Sequence, residues 1–134
     1  MTDKHLRVGS GAPWESRVGY CRAVRAGNYV AVSGSAPVGP DGELVGEGDI
    51  YRQARRCIEV ISEALQKVGA GLDDVVRTRM FVTDIEQWEA VGKAHAEAFG
   101  AAPPATSMVE VVRLIDARML VEIEADAIIN ESAA

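Results

Sequence analysis

A strictly alternating segment near the C-terminus constrains the fold more than any other feature of this sequence. It reads LVEIEADA over residues 120–127, and the carboxylates Glu122, Glu124 and Asp126 alternate with apolar residues. Because successive side chains of a strand point to opposite faces, this pattern is typical of a half-buried strand. The apolar side faces a core. The three carboxylates on the other face are either solvated, or one of them is a working acid or base.

The remaining chain predicts further elements in a regular order. Two β-type runs flank Gly27-Asn28, a pair that tolerates positive φ, and predict a hairpin. After a potential N-cap at Asp49, apolar residues recur at spacings of three, four and one and predict a helix that stops at Gly69. The stripe consists of Ala54, Cys57, Ile58, Ile61, Leu65 and Val68.

A second helix is predicted over 86–100, and strands over 72–85, 105–115 and 119–129. The predicted order is β-β-α-β-α-β-β. This order favours an α+β fold in which the helices pack on one face of a mixed sheet. The 134 residues predict a single domain, 1–134, in which residues 1–17 form an irregular N-terminal arm. Within the arm, Trp14 is either a surface anchor or a lid over a pocket, and we favour the anchor.

The net charge and the cysteine content of the chain indicate which binding partners and which cellular location to expect. The net charge of −6 disfavours nucleic acid as the main partner, because phosphate binding needs clustered Lys and Arg. No apolar run approaches the roughly 20 residues of a membrane span, and the N-terminus lacks the apolar region of a secretory signal. We therefore expect a cytoplasmic protein whose Cys21 and Cys57 are free thiols. No Cys or His pair has the spacing of zinc ligands, so no metal is predicted.

One-sided helix packing leaves the other face of the sheet open. We expect this open face to be apolar, and an exposed apolar face usually marks an interface. The sequence therefore predicts a closed homo-oligomer with pockets between its subunits. The residues expected on this face are Tyr20, Met80, Val82, Met108 and Val112.

Three segments together resemble the RidA/YjgF family. They are GYCRAVRAGNYVAVSGSAPVGPDGELVG, LDDVVRTRMFVTDIEQWEAVGKAHAEAFG and MVEVVRLIDARMLVEIEADAII, and the resemblance runs from about residue 18 to 129. It implies a chorismate-mutase-like protomer, assembled as a homotrimer with three clefts between subunits. The best-known members hydrolyse reactive 2-imino or 2-enamino acids to 2-oxo acids and ammonia, and they need no metal or cofactor. The family has also been labelled translation inhibitor and endoribonuclease.

The resemblance also implies a set of site residues. An aromatic hydroxyl near the start of the first strand matches Tyr20, and a Ser-Gly pair that ends the second strand matches Ser33 and Gly34. An acid on the last strand, which orients the attacking water, matches Glu122. In the absence of the family, we would interpret Glu122 as part of a solvated acidic stripe, Tyr20 as interface packing and Ser33-Gly34 as a strand-ending turn.

The sequence departs from the family pattern at PPATSMVEV. Deaminating members carry an Arg where this chain has Thr106, and that Arg clamps the substrate carboxylate through two hydrogen bonds. The Cys that follows in many relatives is Met108, although its suspected role runs through the backbone. Gly92 replaces an Asn that is frequent in the second helix. Thr106 can donate one hydrogen bond but supplies no charge.

Two other arginines are candidates to replace the missing clamp. Arg113 lies seven residues beyond Thr106, so on a regular strand it should face away from Thr106. Arg79 is the better candidate, although an exposed or salt-bridged role is the more common one for such a residue. His95 is interpreted as a partly exposed helical histidine rather than a catalytic one.

Three functions follow as hypotheses. The first is a RidA-type hydrolase in which Glu122 positions water, acting on a small imine or enamine other than the typical 2-imino acids. The second is a non-catalytic trimer that uses the same clefts to hold a small metabolite or a protein partner. The third, ribonuclease activity or translation inhibition, rests on family labels alone and ranks last because of the acidic charge.

Overall fold

The computed structural model describes residues 4–130, which build one six-stranded sheet and three α-helices. The strands are β1 (Leu6–Val8), β2 (Ala23–Ala26), β3 (Tyr29–Ser35), β4 (Val75–Val82), β5 (Ala105–Glu110) and β6 (Val121–Ile128). The helices are α1 (Pro13–Val18), α2 (Ile50–Lys67) and α3 (Trp88–Phe99). Short 3-10 turns at Leu72–Asp74 and Ile85–Gln87 precede β4 and α3.

The sheet is mixed, and its strand order is β1-β2-β3-β6-β4-β5. All neighbouring strands are antiparallel except β4 and β5, which α3 connects as a parallel pair. The C-terminal strand β6 therefore lies in the middle of the sheet, between β3 and β4. This arrangement confirms the predicted α+β fold with helices packed against a mixed sheet.

Helix α2 forms where the sequence predicts it. The Asp49 side chain accepts a hydrogen bond from the Arg52 backbone N–H at 3.1 Å, and the helix stops before Gly69, which has a φ of 83°. The predicted apolar stripe is buried along its whole length. Cys57 is fully buried in this stripe, and its burial raises the pKa of the thiol far above the usual range. Cys57 is therefore a core residue, as predicted.

The hairpin is also confirmed, because β2 and β3 pair around Gly27, whose φ is 64°. The N-terminal region differs from the prediction. Instead of an irregular arm, β1 extends the sheet by pairing with β2, and Pro13 starts the short helix α1. Trp14 lies on α1 with 47% of its surface exposed, and the Arg17 guanidinium stacks 5.4 Å from its ring centroid.

The prediction of which residues form the open face of the sheet is wrong. Met80 and Val82 are buried in the core on the side of β4 that faces the helices, and Met108 packs against that core. The alternate residues of β4 include Arg77 and Arg79, whose charges identify the open face. Since side chains alternate strictly, Met80 and Val82 cannot share that face with them.

The fifth strand is shorter than predicted. It ends at Glu110, and residues 111–120 form the connection to β6. Val112, expected on a sheet face, instead lies in this connection with 98% of its surface exposed. Between residues 4 and 130, no helix is both long enough and apolar enough to cross a membrane.

Candidate functional site

A pocket of about 370 Å³ lies on the open face of the sheet beside Glu122. It brings together the ends of β3 and β4, the connection after β5 and the first half of β6. Its lining residues are Gly34, Phe81, Val111, Arg113, Leu114, Glu122 and Glu124. Two of the three alternating carboxylates thus line one cavity, whereas Asp126 does not.

The Glu122 carboxylate is only partly accessible to water. Burial raises its pKa above the usual value, the positive charge of Arg22 opposes this shift, and the negative charge of Glu124 adds to it. A carboxyl group in such a place retains a proton to higher pH than an exposed one. Glu122 therefore has the electrostatic character expected of a general acid or base.

Gly34 brings the backbone of β3 directly against this carboxylate. A Cβ added at position 34 would lie 3.0 Å from Glu122 Cδ and 3.2 Å from each carboxylate oxygen. The position therefore needs glycine for close approach rather than for an unusual backbone conformation. Ser33 is committed elsewhere, because its hydroxyl donates a hydrogen bond to the Cys21 carbonyl oxygen at 2.6 Å. The Ser33 side chain thus contributes to the strand end, not to the pocket lining.

Arg22 is a charged neighbour of Glu122 that the sequence analysis missed. Its Nη2 donates to the Gly34 carbonyl oxygen at 2.7 Å, and its charge acts on Glu122. Its Nε is buried and has no hydrogen-bond partner within residues 4–130. The only available signal was an arginine at the start of the predicted first strand, two residues after Tyr20.

Arg79 has a different environment from the expected one. It forms an ion pair with Asp126 at 3.3 Å, and the Tyr29 hydroxyl donates to the same carboxylate at 3.0 Å. Arg79 lies on the open face, whereas Thr106 points toward the helices. Arg113 instead lines the Glu122 pocket. Arg113 thus lies on the opposite side of the sheet from Thr106, as the spacing predicts, although β5 ends at Glu110 and regular alternation does not extend to residue 113.

Glu122 and Thr106 of one chain face opposite sides of the sheet. Glu122 is paired with Phe81 across β6 and β4, and Thr106 is paired with Thr78 across β5 and β4. Phe81 and Thr78 are three residues apart on β4, so their side chains point in opposite directions. The residue that matches the catalytic acid and the residue that matches the missing Arg therefore do not meet within one protomer.

Thr106 takes part in a hydrogen-bond chain toward α3. The Thr78 hydroxyl donates to Thr106 Oγ1 at 2.6 Å, and His95 Nε2 lies 2.8 Å from Thr78 Oγ1. Thr106 is exposed, Thr78 is fully buried and His95 is half-buried. Burial lowers the pKa of His95, and its ring packs against Phe99 with centroids 4.6 Å apart. No local sequence pattern predicts this role of His95, because its partner Thr78 is distant in the sequence.

Two further predicted site residues lie outside the pocket lining. Tyr20 follows α1, its backbone N–H donates to the Glu15 carbonyl oxygen at 2.9 Å, and 40% of its surface is exposed. Met108 is on the same side of β5 as Thr106, two residues further along. Among residues 4–130, no group of three or more His, Cys, Asp or Glu side chains is arranged to hold a metal ion.

Comparison with known proteins agrees with the fold and the element order. The family model described as Endoribonuclease L-PSP matches residues 11–129. An uncharacterized protein of Streptomyces coelicolor is 40% identical over 128 residues, covering 95% of each chain. A RutC family protein of Pyrococcus abyssi is 38% identical over 109 residues, covering 81% of this chain and 84% of its own.

Solved structures are similar over nearly the whole chain. A Mycobacterium tuberculosis member of the YjgF/YER057c/UK114 family is 49% identical with a TM-score of 0.86, covering 94% of this chain and 100% of that one. Escherichia coli TdcF, solved with bound serine, is 27% identical with a TM-score of 0.78, covering 92% and 94%. From sequence and fold together, the chain belongs to the RidA/YjgF (L-PSP) family and has its chorismate-mutase-like fold.

Proposed function

We propose that this protein is a cytoplasmic, homotrimeric and cofactor-independent hydrolase that deaminates a small imine or enamine in clefts between its subunits. The observation that carries the proposal is the environment of Glu122. Its partly buried carboxylate lines a pocket, and burial raises its pKa. These are the properties that acid-base catalysis near neutral pH requires.

The reaction requires one group that both accepts and donates a proton. As a carboxylate, Glu122 accepts a proton from a water molecule while the water oxygen attacks the imine carbon. As a carboxylic acid, it returns that proton to the nitrogen, which gives a carbinolamine. In a second transfer, Glu122 takes the proton of the carbinolamine hydroxyl and passes it to the nitrogen, so that the carbon–nitrogen bond breaks, ammonia leaves and the carbonyl group forms. The overall change is imine plus water to carbonyl compound plus ammonia. No electrons are transferred, so the reaction needs no redox cofactor.

The proposed trimer accounts for the separation of Glu122 and Thr106 within one protomer. Glu122 and Thr106 face opposite sides of one sheet, so a single cleft that uses both must draw them from two chains. Among the similar proteins, TdcF is one that was solved with a bound serine, a small amino acid. This likeness supports a cleft of metabolite size. A protein that remains monomeric at micromolar concentration in sedimentation experiments would contradict this part of the proposal.

The substrate in the proposal is not a typical 2-imino acid. Thr106 stands where deaminating relatives carry an Arg, and a hydroxyl offers one donor and no charge. Arg79 does not replace the clamp, because its guanidinium is already paired with Asp126. We therefore expect weak turnover of substrates whose binding depends on a free carboxylate.

A second candidate is a non-catalytic trimer that binds a small metabolite or a protein partner in the same clefts. The bound serine of TdcF favours ligand binding without requiring a reaction. This candidate predicts saturable binding that is unaffected by Glu122→Gln. We do not propose ribonuclease activity, because the net charge of −6 opposes binding of a polyanion.

The test is ammonia release from a panel of imines that an amino-acid oxidase generates in the assay. Wild type is compared with Glu122→Gln and Thr106→Arg, and each variant is first shown to have the oligomeric state of the wild type. Wild-type activity that Glu122→Gln abolishes supports the hydrolase. Activity on 2-imino acids gained only by Thr106→Arg indicates a working Glu122 without a carboxylate anchor. Inactivity of all three proteins overturns the hydrolase in favour of the binding trimer.

A further inference from the structure

We propose that His95 and Thr78 orient the Thr106 hydroxyl so that it donates a hydrogen bond to an uncharged oxygen atom of the ligand. Thr106 is the contact residue in this proposal, and His95 is a positioning residue that acts through Thr78. The inference rests on the proposed function only in taking the cleft beside Thr106 as the ligand site. It names the ligand class: a small compound with a neutral carbonyl oxygen where relatives bind a carboxylate.

The three side chains form a continuous chain from the surface to α3. His95 Nε2 and Thr78 Oγ1 are 2.8 Å apart, and Thr78 Oγ1 and Thr106 Oγ1 are 2.6 Å apart. The middle residue is fully buried, whereas Thr106 at the outer end is exposed. A buried hydroxyl needs hydrogen-bond partners inside the protein, and the two partners of Thr78 are the other two members of this hydrogen-bond chain.

The number of hydroxyl protons determines which group donates and which accepts in each of these hydrogen bonds. A threonine hydroxyl has one proton to donate, and Thr78 gives its proton to Thr106. Thr78 Oγ1 must then accept a proton from its other neighbour, so the proton of the neutral His95 ring resides on Nε2. Burial favours this neutral ring, because it lowers the pKa of His95.

Because Thr106 accepts a hydrogen bond from Thr78, the proton of its own hydroxyl is available for donation. Its hydroxyl donates to the backbone carbonyl oxygen of Thr78 at 3.2 Å, which is a long hydrogen bond between oxygen atoms. A ligand oxygen in the cleft offers a better acceptor, and rotation of the hydroxyl about the Cβ–Oγ1 bond redirects the proton to it. Meanwhile Thr106 Oγ1 keeps the hydrogen bond that it accepts from Thr78, so the hydroxyl remains held in place.

One oriented neutral donor selects a neutral acceptor. A carboxylate that loses its water in the cleft needs a compensating positive charge, and Thr106 provides none. An amide, ester or ketone oxygen carries no net charge and is satisfied by a single hydroxyl. We therefore expect the cleft to prefer an amide to the carboxylate of the same shape.

The first test is the tautomer of His95, measured from ¹⁵N chemical shifts of histidine-labelled protein near neutral pH. We expect the proton on Nε2 in the wild type. In Thr106→Val the Thr78 hydroxyl loses its acceptor and must donate to His95 Nε2, so the proton moves to Nδ1. Thr106→Ser keeps the acceptor and the wild-type tautomer. A wild-type Nδ1–H tautomer, or no change in Thr106→Val, overturns the proposed direction.

The second test is ligand preference, measured by titrating pyruvamide and pyruvate into the trimer and following the backbone amide resonance of residue 106, which every variant retains. We expect wild type and Thr106→Ser to bind pyruvamide more tightly than pyruvate, by about 3- to 10-fold for one neutral hydrogen bond. Thr106→Val loses the preference and Thr106→Arg reverses it. His95→Phe weakens pyruvamide binding, and His95→Gln, which keeps a donor, restores it.

These tests separate the inference from the proposed function. Neither test requires turnover, so an inactive wild type that shows both results contradicts the hydrolase and leaves the hydrogen-bond chain standing. Conversely, an active wild type that binds pyruvate at least as tightly as pyruvamide overturns the inference alone. Equal affinities in wild type and Thr106→Val also overturn it.

Discussion

Gly34 and Glu122 are in direct contact, and the absence of a side chain at position 34 is what allows the carboxylate to lie against strand β3. A Cβ at Gly34 would come within 3.0 Å of Glu122 Cδ. The contact joins the end of β3 to the start of β6 on the open face of the sheet. It also places the carboxylate beside the backbone carbonyl that Arg22 holds.

We expect Gly34→Ala to impair the proposed activity far more than stability. The new methyl group must displace the Glu122 carboxylate by a few tenths of an ångström, and misplacement of a catalytic group on this scale lowers kcat by about tenfold or more. The free energy of unfolding should change by less than about 1 kcal/mol, because the displaced group is the end of a flexible side chain. Full activity in Gly34→Ala would contradict the role of the contact.

Gly92→Ala is the matched control, because its glycine lies inside α3 and an added Cβ would meet no atom within 4 Å. Alanine is the better helix former, so this variant should raise the free energy of unfolding by about 0.5–1 kcal/mol. Urea denaturation at fixed protein concentration measures the change. A decrease in stability would show that position 92 makes a contact that one protomer does not contain.

Because the pKa of Glu122 is raised, we expect the free energy of unfolding to depend on pH. The folded state keeps the proton to higher pH than the unfolded state, so unfolding releases a proton within the window between the usual value of 4.5 and the raised one. Stability therefore falls as pH rises through this window. Glu122→Gln cannot titrate, and the stability of wild type relative to this variant should decline from pH 4 upward and then level off.

The measurement is denaturant unfolding of both proteins at a series of pH values. Glu89→Gln, which removes one exposed carboxylate from α3, controls for the change in net charge. A wild type that gains stability relative to Glu122→Gln as pH rises would mean that the pKa is lowered. That result would remove the electrostatic argument for Glu122 as the working acid or base.

Gln53 supports the strand that carries Glu122. It is fully buried in α2, its amide N–H groups donate to the carbonyl oxygens of Gly46 and Arg118, and its oxygen accepts from the Leu120 N–H at 2.7 Å. Gln53→Leu leaves these backbone groups unsatisfied and should destabilise the protein by about 2–4 kcal/mol.

Because Leu120 is two residues before Glu122, the same Gln53→Leu substitution should reduce activity in the fraction that stays folded. Thermal or urea unfolding, followed by an assay normalised to folded protein, separates the two effects. Gln66→Leu, on the exposed side of the same helix, should change stability by no more than about 0.5 kcal/mol. Equal effects of the two substitutions would contradict a positioning role for Gln53.

Local patterns determined much of this protein before any tertiary contact was known. Alternation identified β6 and its core side, the spacing of apolar residues identified α2, and Gly27-Asn28 identified the hairpin. These features are visible in the sequence because each depends on a short repeat of side-chain directions. The resemblance to the family then supplied Glu122 as the candidate acid.

Tertiary structure decided how the site is assembled. The neighbours Arg22 and Gly34 reach Glu122 because β6 inserts between β3 and β4, which no local pattern reveals. His95 meets Thr78 only because α3 returns across the sheet to start β5 beside β4. The end of β5 at Glu110 likewise brings Arg113 into the pocket. Sequence periodicity reports which side a residue faces within its own element, whereas strand order and register set which residues from distant elements meet there.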